Sequence, residues 1–96
     1  MNISKFFAQR DIRSYEKRIE AREKNIAKLE KKIALLKAQC GAGKMTKAAY
    51  EKKKGGYMDS IHGMKDKIKI LRGAIARETR ALKEKEQKAE AKAKAK

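Results

Sequence analysis

The fold of this chain is decided by the stretch IRSYEKRIEAREKNIAKLEKKIALLKAQC, residues 12–40. Its apolar residues recur at steps of three, four and seven, so they share one side of an α-helix. Written as a heptad repeat, position a holds Ile12, Ile19, Ile26, Ile33 and Cys40, and position d holds Tyr15, Arg22, Leu29 and Leu36. A narrow apolar seam of this kind needs a partner helix, because one helix alone cannot bury it.

A second seam with the same period follows the glycine-containing middle of the chain. Its a positions are Ile61, Ile68, Ile75 and Leu82, and its d positions are Tyr57, Met64, Leu71 and Glu78. A parallel dimer of either seam would leave the other unpaired, so the two seams predict an antiparallel hairpin within one chain. The predicted fold class is all-α: an antiparallel two-helix coiled-coil hairpin with a short helical, Gly-rich tip and a basic C-terminal tail.

Glycines set the predicted boundaries. We expect Gly41 to end the first helix in the left-handed conformation, Thr46 to cap a short tip helix, and the pair Gly55-Gly56 to interrupt it. The predicted segments are an N-terminal arm at 1–8, a hairpin at 9–87 with helix 1 at about 9–40, the tip at about 41–56 and helix 2 at about 57–87, and a basic tail at 88–96.

Two pairing registers are compatible with the seams. In the first, the numbers of facing residues sum to about 97, and the two charged seam residues, Arg22 and Glu78, fall in adjacent layers. A charge left unpaired in a buried seam costs several kcal/mol, which favours this register. Its flanking pairs are Glu30 with Lys65 and Glu23 with Arg72. The second register, with a sum of about 90, keeps flanking charge pairs but separates Arg22 from Glu78.

The charge of the chain indicates its kind of partner. Lys and Arg number 28 against 12 Asp and Glu, a net charge of +16 on 96 residues. Such an excess favours binding to a polyanion, with nucleic acid first and an anionic membrane surface second. The membrane alternative is weak, since the sequence has no stretch of about 18 apolar residues and little apolar surface outside Phe6, Phe7 and Ile70. A single cysteine forms no internal disulfide, which is typical of a reducing, cytoplasmic location.

Enzymatic function is not expected. The segment 41–46 differs from a phosphate-binding P-loop, since Ala38 stands where a Gly is required and Met45 where Ser or Thr is required. One cysteine, Cys40, and one histidine, His62, are too few ligands for a structural zinc site. A two-helix rod also has little concave volume. We therefore expect no cofactor, no metal and no small-molecule substrate.

The basic residues predict where nucleic acid binds. The candidate contacts are Arg10, Lys17, Lys24 and Lys31 at the f positions of helix 1, Lys44, Lys47, Tyr50, Lys52, Lys53 and Lys54 at the tip, and Lys88, Lys92, Lys94 and Lys96 in the tail. Tyr50 is a candidate for stacking on an unpaired base, or alternatively packs on the hairpin end. Lys outnumbers Arg 21 to 7, which favours contacts to phosphates over reading of base edges.

A different set of residues is predicted to dock on a partner. Gly63, Ile70 and Gly73 form a small or apolar strip outside the second seam, where a backbone can approach closely. Phe6 and Phe7 have no heptad partner and either fold back on the hairpin end or anchor the chain in a larger assembly.

Together these features predict a small basic structural RNA-binding protein, ribosomal or ribosome-associated, that contacts rRNA phosphates without strong sequence readout. Neighbouring proteins of the same large assembly are further expected partners. Two alternatives remain open: a nucleoid-type DNA-binding protein, and a coiled-coil assembly subunit that binds a protein partner.

Overall fold

Two long helices make up nearly all of the described chain. The computed structural model describes residues 3–95, apart from the side chains of Ser4, Lys94 and Ala95. Helix α1 spans Ile3–Gly41 and helix α2 spans Lys47–Ala95. They pack against each other in opposite directions as a rod of 77 × 17 × 14 Å. The predicted all-α antiparallel hairpin is confirmed.

The core of the rod is a single row of isoleucines at a positions. The buried side chains are Ile19, Ile26, Ile61 and Ile68, and the half-buried side chains packed on them are Leu29, Ile33, Met58, Met64, Leu71 and Ile75. Full burial of an isoleucine contributes about 1.5–3 kcal/mol. With so few buried layers, each one is a large part of the stability of the hairpin.

The end of α1 is a Schellman motif centred on Gly43. The N–H of Gly43 donates to the Cys40 carbonyl at 3.0 Å, and the N–H of Lys44 donates to the Gln39 carbonyl at 2.9 Å. Gly43 has φ of +77°, the only positive φ among the described residues. The prediction that Gly41 takes the left-handed conformation is wrong. Gly41 is still helical, and the reversal of the chain comes two residues later.

Helix α2 begins at the turn and continues through the glycine pair. The Thr46 hydroxyl accepts a hydrogen bond from the N–H of Ala49 at 3.1 Å, so Thr46 is an N-cap as predicted. The predicted interruption at Gly55-Gly56 is absent, because both residues lie within α2. Each helical Gly costs about 1 kcal/mol. The helix that starts at the Thr46 cap contacts the packed core directly after Gly55-Gly56. Because helix formation is cooperative, the free energy gained from that packing exceeds the cost of the two glycines.

Three contacts between the helices fix the register. They join Lys5 to Glu86 with an N–O distance of 3.0 Å, Glu23 to Arg72 with an N–O distance of 3.0 Å, and the Lys32 ammonium to the Tyr57 ring at 5.9 Å from its centroid. In the register that sums to 97, Lys32 and Tyr57 would be offset by about 12 Å, at 1.5 Å per residue. Their side chains would also lean apart, because each leans toward the N-terminus of its own helix. The residue numbers of the three contacts sum to 91, 95 and 89, so on average the helices pair closer to a sum of 90 than to the predicted 97.

The length of the loop explains this difference. A tip at 41–56 would centre the pairing between residues 48 and 49, whereas the actual loop, 42–46, centres it on residue 44. Arg22 accordingly makes no ion pair with Glu78; its Nη1 donates to the Arg18 carbonyl on its own helix at 3.4 Å. The predicted pairing of these two charges is wrong. Of the two predicted flanking pairs, Glu23 with Arg72 forms an ion pair. Glu30 and Lys65 line the surface between the two helices next to that pair.

Both ends of the chain are helical over the described residues. Residues 3–8, expected to be an arm, are the first turns of α1, and the Lys5–Glu86 ion pair ties them to α2. Residues 88–95, expected to be a tail, continue α2. The open end of the hairpin is therefore formed by the start of α1 and the last part of α2.

Candidate nucleic-acid interface

The predicted cationic stripe lies on the outer face of α1. Arg10, Lys17, Lys24 and Lys31 are all exposed, and their backbone positions are about 10.5 Å apart along the helix. Lys24 forms an ion pair with Glu20 in the preceding turn, with an N–O distance of 3.4 Å. An exposed pair of this kind contributes less than about 1 kcal/mol. It leaves Lys24 able to exchange its partner for a phosphate.

The acidic residues of α1 lie mainly on another side of the helix. Glu16, Glu23 and Glu30 occupy e positions, beside α2, and Glu23 accepts the ion pair from Arg72 there. The other two acidic residues of α1 are Asp11 and Glu20. The carboxylates are thus concentrated along one edge of the interface between the helices, and the outer face of α1 is left predominantly positive.

The opposite edge of the helix interface extends this positive surface. Arg18 and Lys32 occupy g positions of α1, and Lys67 occupies a g position of α2; all three are exposed. The Lys32 ammonium lies over the Tyr57 ring. Outside the tip and the tail, only the f positions of helix 1 were predicted to bind, so these residues were missed. The heptad assignment itself contained the signal, because g positions of antiparallel helices face each other.

The tip carries cations that point in several directions around the helix. Lys44, Lys47, Lys52 and Lys53 are exposed. Tyr50 is half-buried, and the Lys54 ammonium lies 5.7 Å from the centroid of its ring. This contact covers part of the ring that stacking on a base would need. The tip therefore presents phosphate contacts more readily than a stacking surface.

In the tail, Lys88 and Lys92 are exposed on the last turns of α2. The side chain of Lys94 and the whole of Lys96 lie outside the described residues. The tail cations that are described continue the positive charge beyond the last core residue of the second seam.

The residues predicted to dock on a partner lie on the surface. A Cβ atom added at Gly63 meets no atom within 4 Å, and one added at Gly73 meets only Arg77 Nη1, at 3.7 Å. Ile70 between them is 69% exposed. Nothing in the described part of the chain approaches these glycines closely, so their predicted role in docking stays a prediction.

Phe6 and Phe7 form a small aromatic pair at the open end. Their rings meet edge to face, with centroids 5.7 Å apart, and each side chain is about half exposed. The Arg10 guanidinium lies 6.0 Å from the centroid of the Phe7 ring. The pair therefore borders the cationic stripe at its N-terminal end.

Two other kinds of feature were compared with the described residues: a cluster of metal ligands and a membrane-spanning segment. In the part of the chain that the structure describes, no three His, Cys, Asp or Glu side chains come together as metal ligands. Between residues 3 and 95, neither helix contains a segment long and apolar enough to cross a membrane. Comparisons with protein-family models, with curated proteins and with solved structures gave no match.

Proposed function

We propose that this protein is a small structural RNA-binding protein that lays the basic face of α1 along the phosphates of a folded RNA, as a component of the ribosome or a similar ribonucleoprotein. The observation that carries the proposal is the separation of charge around α1. Three of its five acids lie beside α2, whereas four successive f positions, Arg10, Lys17, Lys24 and Lys31, are cationic and exposed. A surface that only kept the protein soluble would mix the two signs.

The predominance of lysine fits binding to phosphates without strong sequence readout. A lysine ammonium is a compact point charge on a flexible stem, which follows a phosphate backbone but does not form the bidentate contacts that distinguish bases. A rod of 77 Å with outward-facing cations reaches many phosphates at once. Electrostatic contacts of this kind make affinity depend strongly on salt.

The salt dependence of binding tests the proposal. The dissociation constant is measured for a folded rRNA fragment and for duplex DNA of equal phosphate number, over a series of salt concentrations. The test variant carries Lys17→Gln, Lys24→Gln and Lys31→Gln, and the matched control carries Lys65→Gln, Lys69→Gln and Lys83→Gln. Each phosphate contact contributes about 0.7–0.9 to the slope of log K against log salt, so the test variant should lower the slope by about 2–3. The control, which removes equal charge on the α2 side, should lower it by less than half of that.

The possible outcomes separate the open alternatives. Equal losses in the two variants would contradict a binding face on α1. Equal or tighter binding of duplex DNA would favour the nucleoid-type alternative. If wild-type protein binds neither nucleic acid but stays assembled with a protein in high salt, the result would favour the coiled-coil assembly subunit that binds a protein partner.

Association with the ribosome has its own test. On a sucrose gradient the protein should sediment with ribosomal subunits in low salt and leave them in high salt. The test variant should leave at a lower salt concentration than the control variant.

A further inference from the structure

All seven arginines lie in the half of the rod toward its open end. They are Arg10, Arg13, Arg18 and Arg22 in α1 and Arg72, Arg77 and Arg80 in α2. The segment between them, residues 23–71, contains thirteen lysines and no arginine. Two ion pairs, Lys5 with Glu86 and Glu23 with Arg72, bracket both groups, so the antiparallel pairing places them side by side. The half of the rod toward the open end therefore holds every arginine, whereas every cation of the tip is a lysine.

A shallow groove on the α1 side of this end is lined by cations and an aromatic ring. It is bordered by Phe6, Arg10, Arg13, Ser14, Lys17 and Arg18, with Ala21 at its edge. Four of these side chains are positive, and none carries a carboxylate. Half of the Phe6 surface is exposed. The groove is thus suited to an anionic ligand that also presents a flat apolar face.

The chemistry of arginine and phenylalanine narrows the choice of ligand. The planar guanidinium group makes two parallel hydrogen bonds to a phosphate and also stacks on flat rings, which the lysine ammonium does not do. Phe rings stack on nucleobases that are not held in a duplex. Phe7 meets Phe6 edge to face and lies under Arg10, so Phe7 supports the Phe6 ring at the groove.

From these observations we infer that the groove binds unpaired nucleotides of an RNA, with Phe6 stacked on a base and Arg10, Arg13 and Arg18 holding the flanking phosphates. The inference rests on the proposed function, and it assigns the position on the rod where an RNA loop or bulge is recognised. The lysine-only remainder of the α1 stripe contacts paired RNA. Phe6 cannot contribute there, because the bases of an A-form duplex are stacked on each other and its major groove is too narrow for side chains.

Two RNA probes of equal nucleotide number test this assignment. One is a stem with a large unpaired loop, and the other is a blunt duplex. The variants are Phe6→Leu, which keeps an apolar side chain without a ring face, and the double variant Arg10→Lys/Arg13→Lys, which keeps the charge. The matched control is Arg77→Lys/Arg80→Lys, which makes the same exchange on the α2 side.

The loop RNA should respond selectively. Loss of stacking on one base should weaken its binding to Phe6→Leu by about 5- to 100-fold, with less than a twofold change for the duplex. Arg10→Lys/Arg13→Lys should also weaken loop binding selectively, while Arg77→Lys/Arg80→Lys binds both probes as wild type does. All these side chains are exposed, so the variants should keep the helical signal of wild type.

Contrary results have distinct meanings. If Phe6→Leu binds the loop RNA as tightly as wild type, or if the two arginine variants behave alike, the groove assignment is overturned. The proposed function stands in that case, since wild type still binds RNA with a steep salt dependence. If wild type binds neither probe, both the groove assignment and the proposed function fail.

Discussion

Replacing Ile61 with alanine gives the most direct test of the hairpin. Ile61 is the most deeply buried side chain of the described core, at 2% exposure. The substitution removes three carbons, and at about 0.8 kcal/mol for each buried methylene the transfer loss is about 2.4 kcal/mol. Part of the resulting cavity persists, although two helices with open flanks can partly collapse into it. The expected loss in the free energy of unfolding is therefore about 2.5–3.5 kcal/mol.

Ile70 provides a matched control on the same helix. It is the same residue type, nine positions further along, but 69% exposed, so Ile70→Ala should change the free energy of unfolding by no more than about 0.5 kcal/mol. Both variants are compared with wild type by urea denaturation followed by far-UV circular dichroism. The unfolding midpoint should not depend on protein concentration, because the hairpin closes within one chain. Equal effects of the two substitutions, or a loss below about 1 kcal/mol at Ile61, would refute the packing described above.

Substitutions at three further positions are checked by the same denaturation assay. Gly43→Ala forces a Cβ into a residue with φ of +77° and should cost about 1–2 kcal/mol; no loss would contradict the Schellman turn. Thr46→Ala removes the acceptor for the Ala49 N–H and should cost about 1 kcal/mol, whereas Thr46→Ser should cost less. Gly63→Ala enters open space within an exposed part of α2, so it should raise stability by up to about 1 kcal/mol, and a loss would indicate a close neighbour there. If Gly63 also docks on a partner, the same variant should assemble more weakly in the native complex.

Much of the fold was predictable because it depends on local pattern. The isoleucines at a positions defined both seams. Four of them, Ile19, Ile26, Ile61 and Ile68, form the buried core. The cap at Thr46 was equally predictable, because a threonine hydroxyl reaches only the N–H groups of the next turn. The exposure of the f positions of α1 followed from the same heptad assignment.

The glycines were harder to interpret from sequence. Five of the six glycines lie within the two helices, and only Gly43 has a positive φ. Local propensity assigns a similar cost to each, so it could not tell which one would reverse the chain. Tertiary packing decided, because a helix that starts at Lys47 and reaches the core at Ile61 gains more from that core than Gly55 and Gly56 cost it.

The sequence by itself determined that two amphipathic helices would pair and that the outer face of the first would be positive, since both follow from the spacing of residues along one helix. Only the tertiary structure decided the axial offset between the two helices. That distance depends on where the second helix begins, and a change of a few residues in the loop moves every pairing by the same amount. The register in turn determines which distant residues become neighbours. The contact of the Lys32 ammonium with the Tyr57 ring, and the turn of Arg22 to the Arg18 carbonyl instead of Glu78, therefore became visible only in three dimensions.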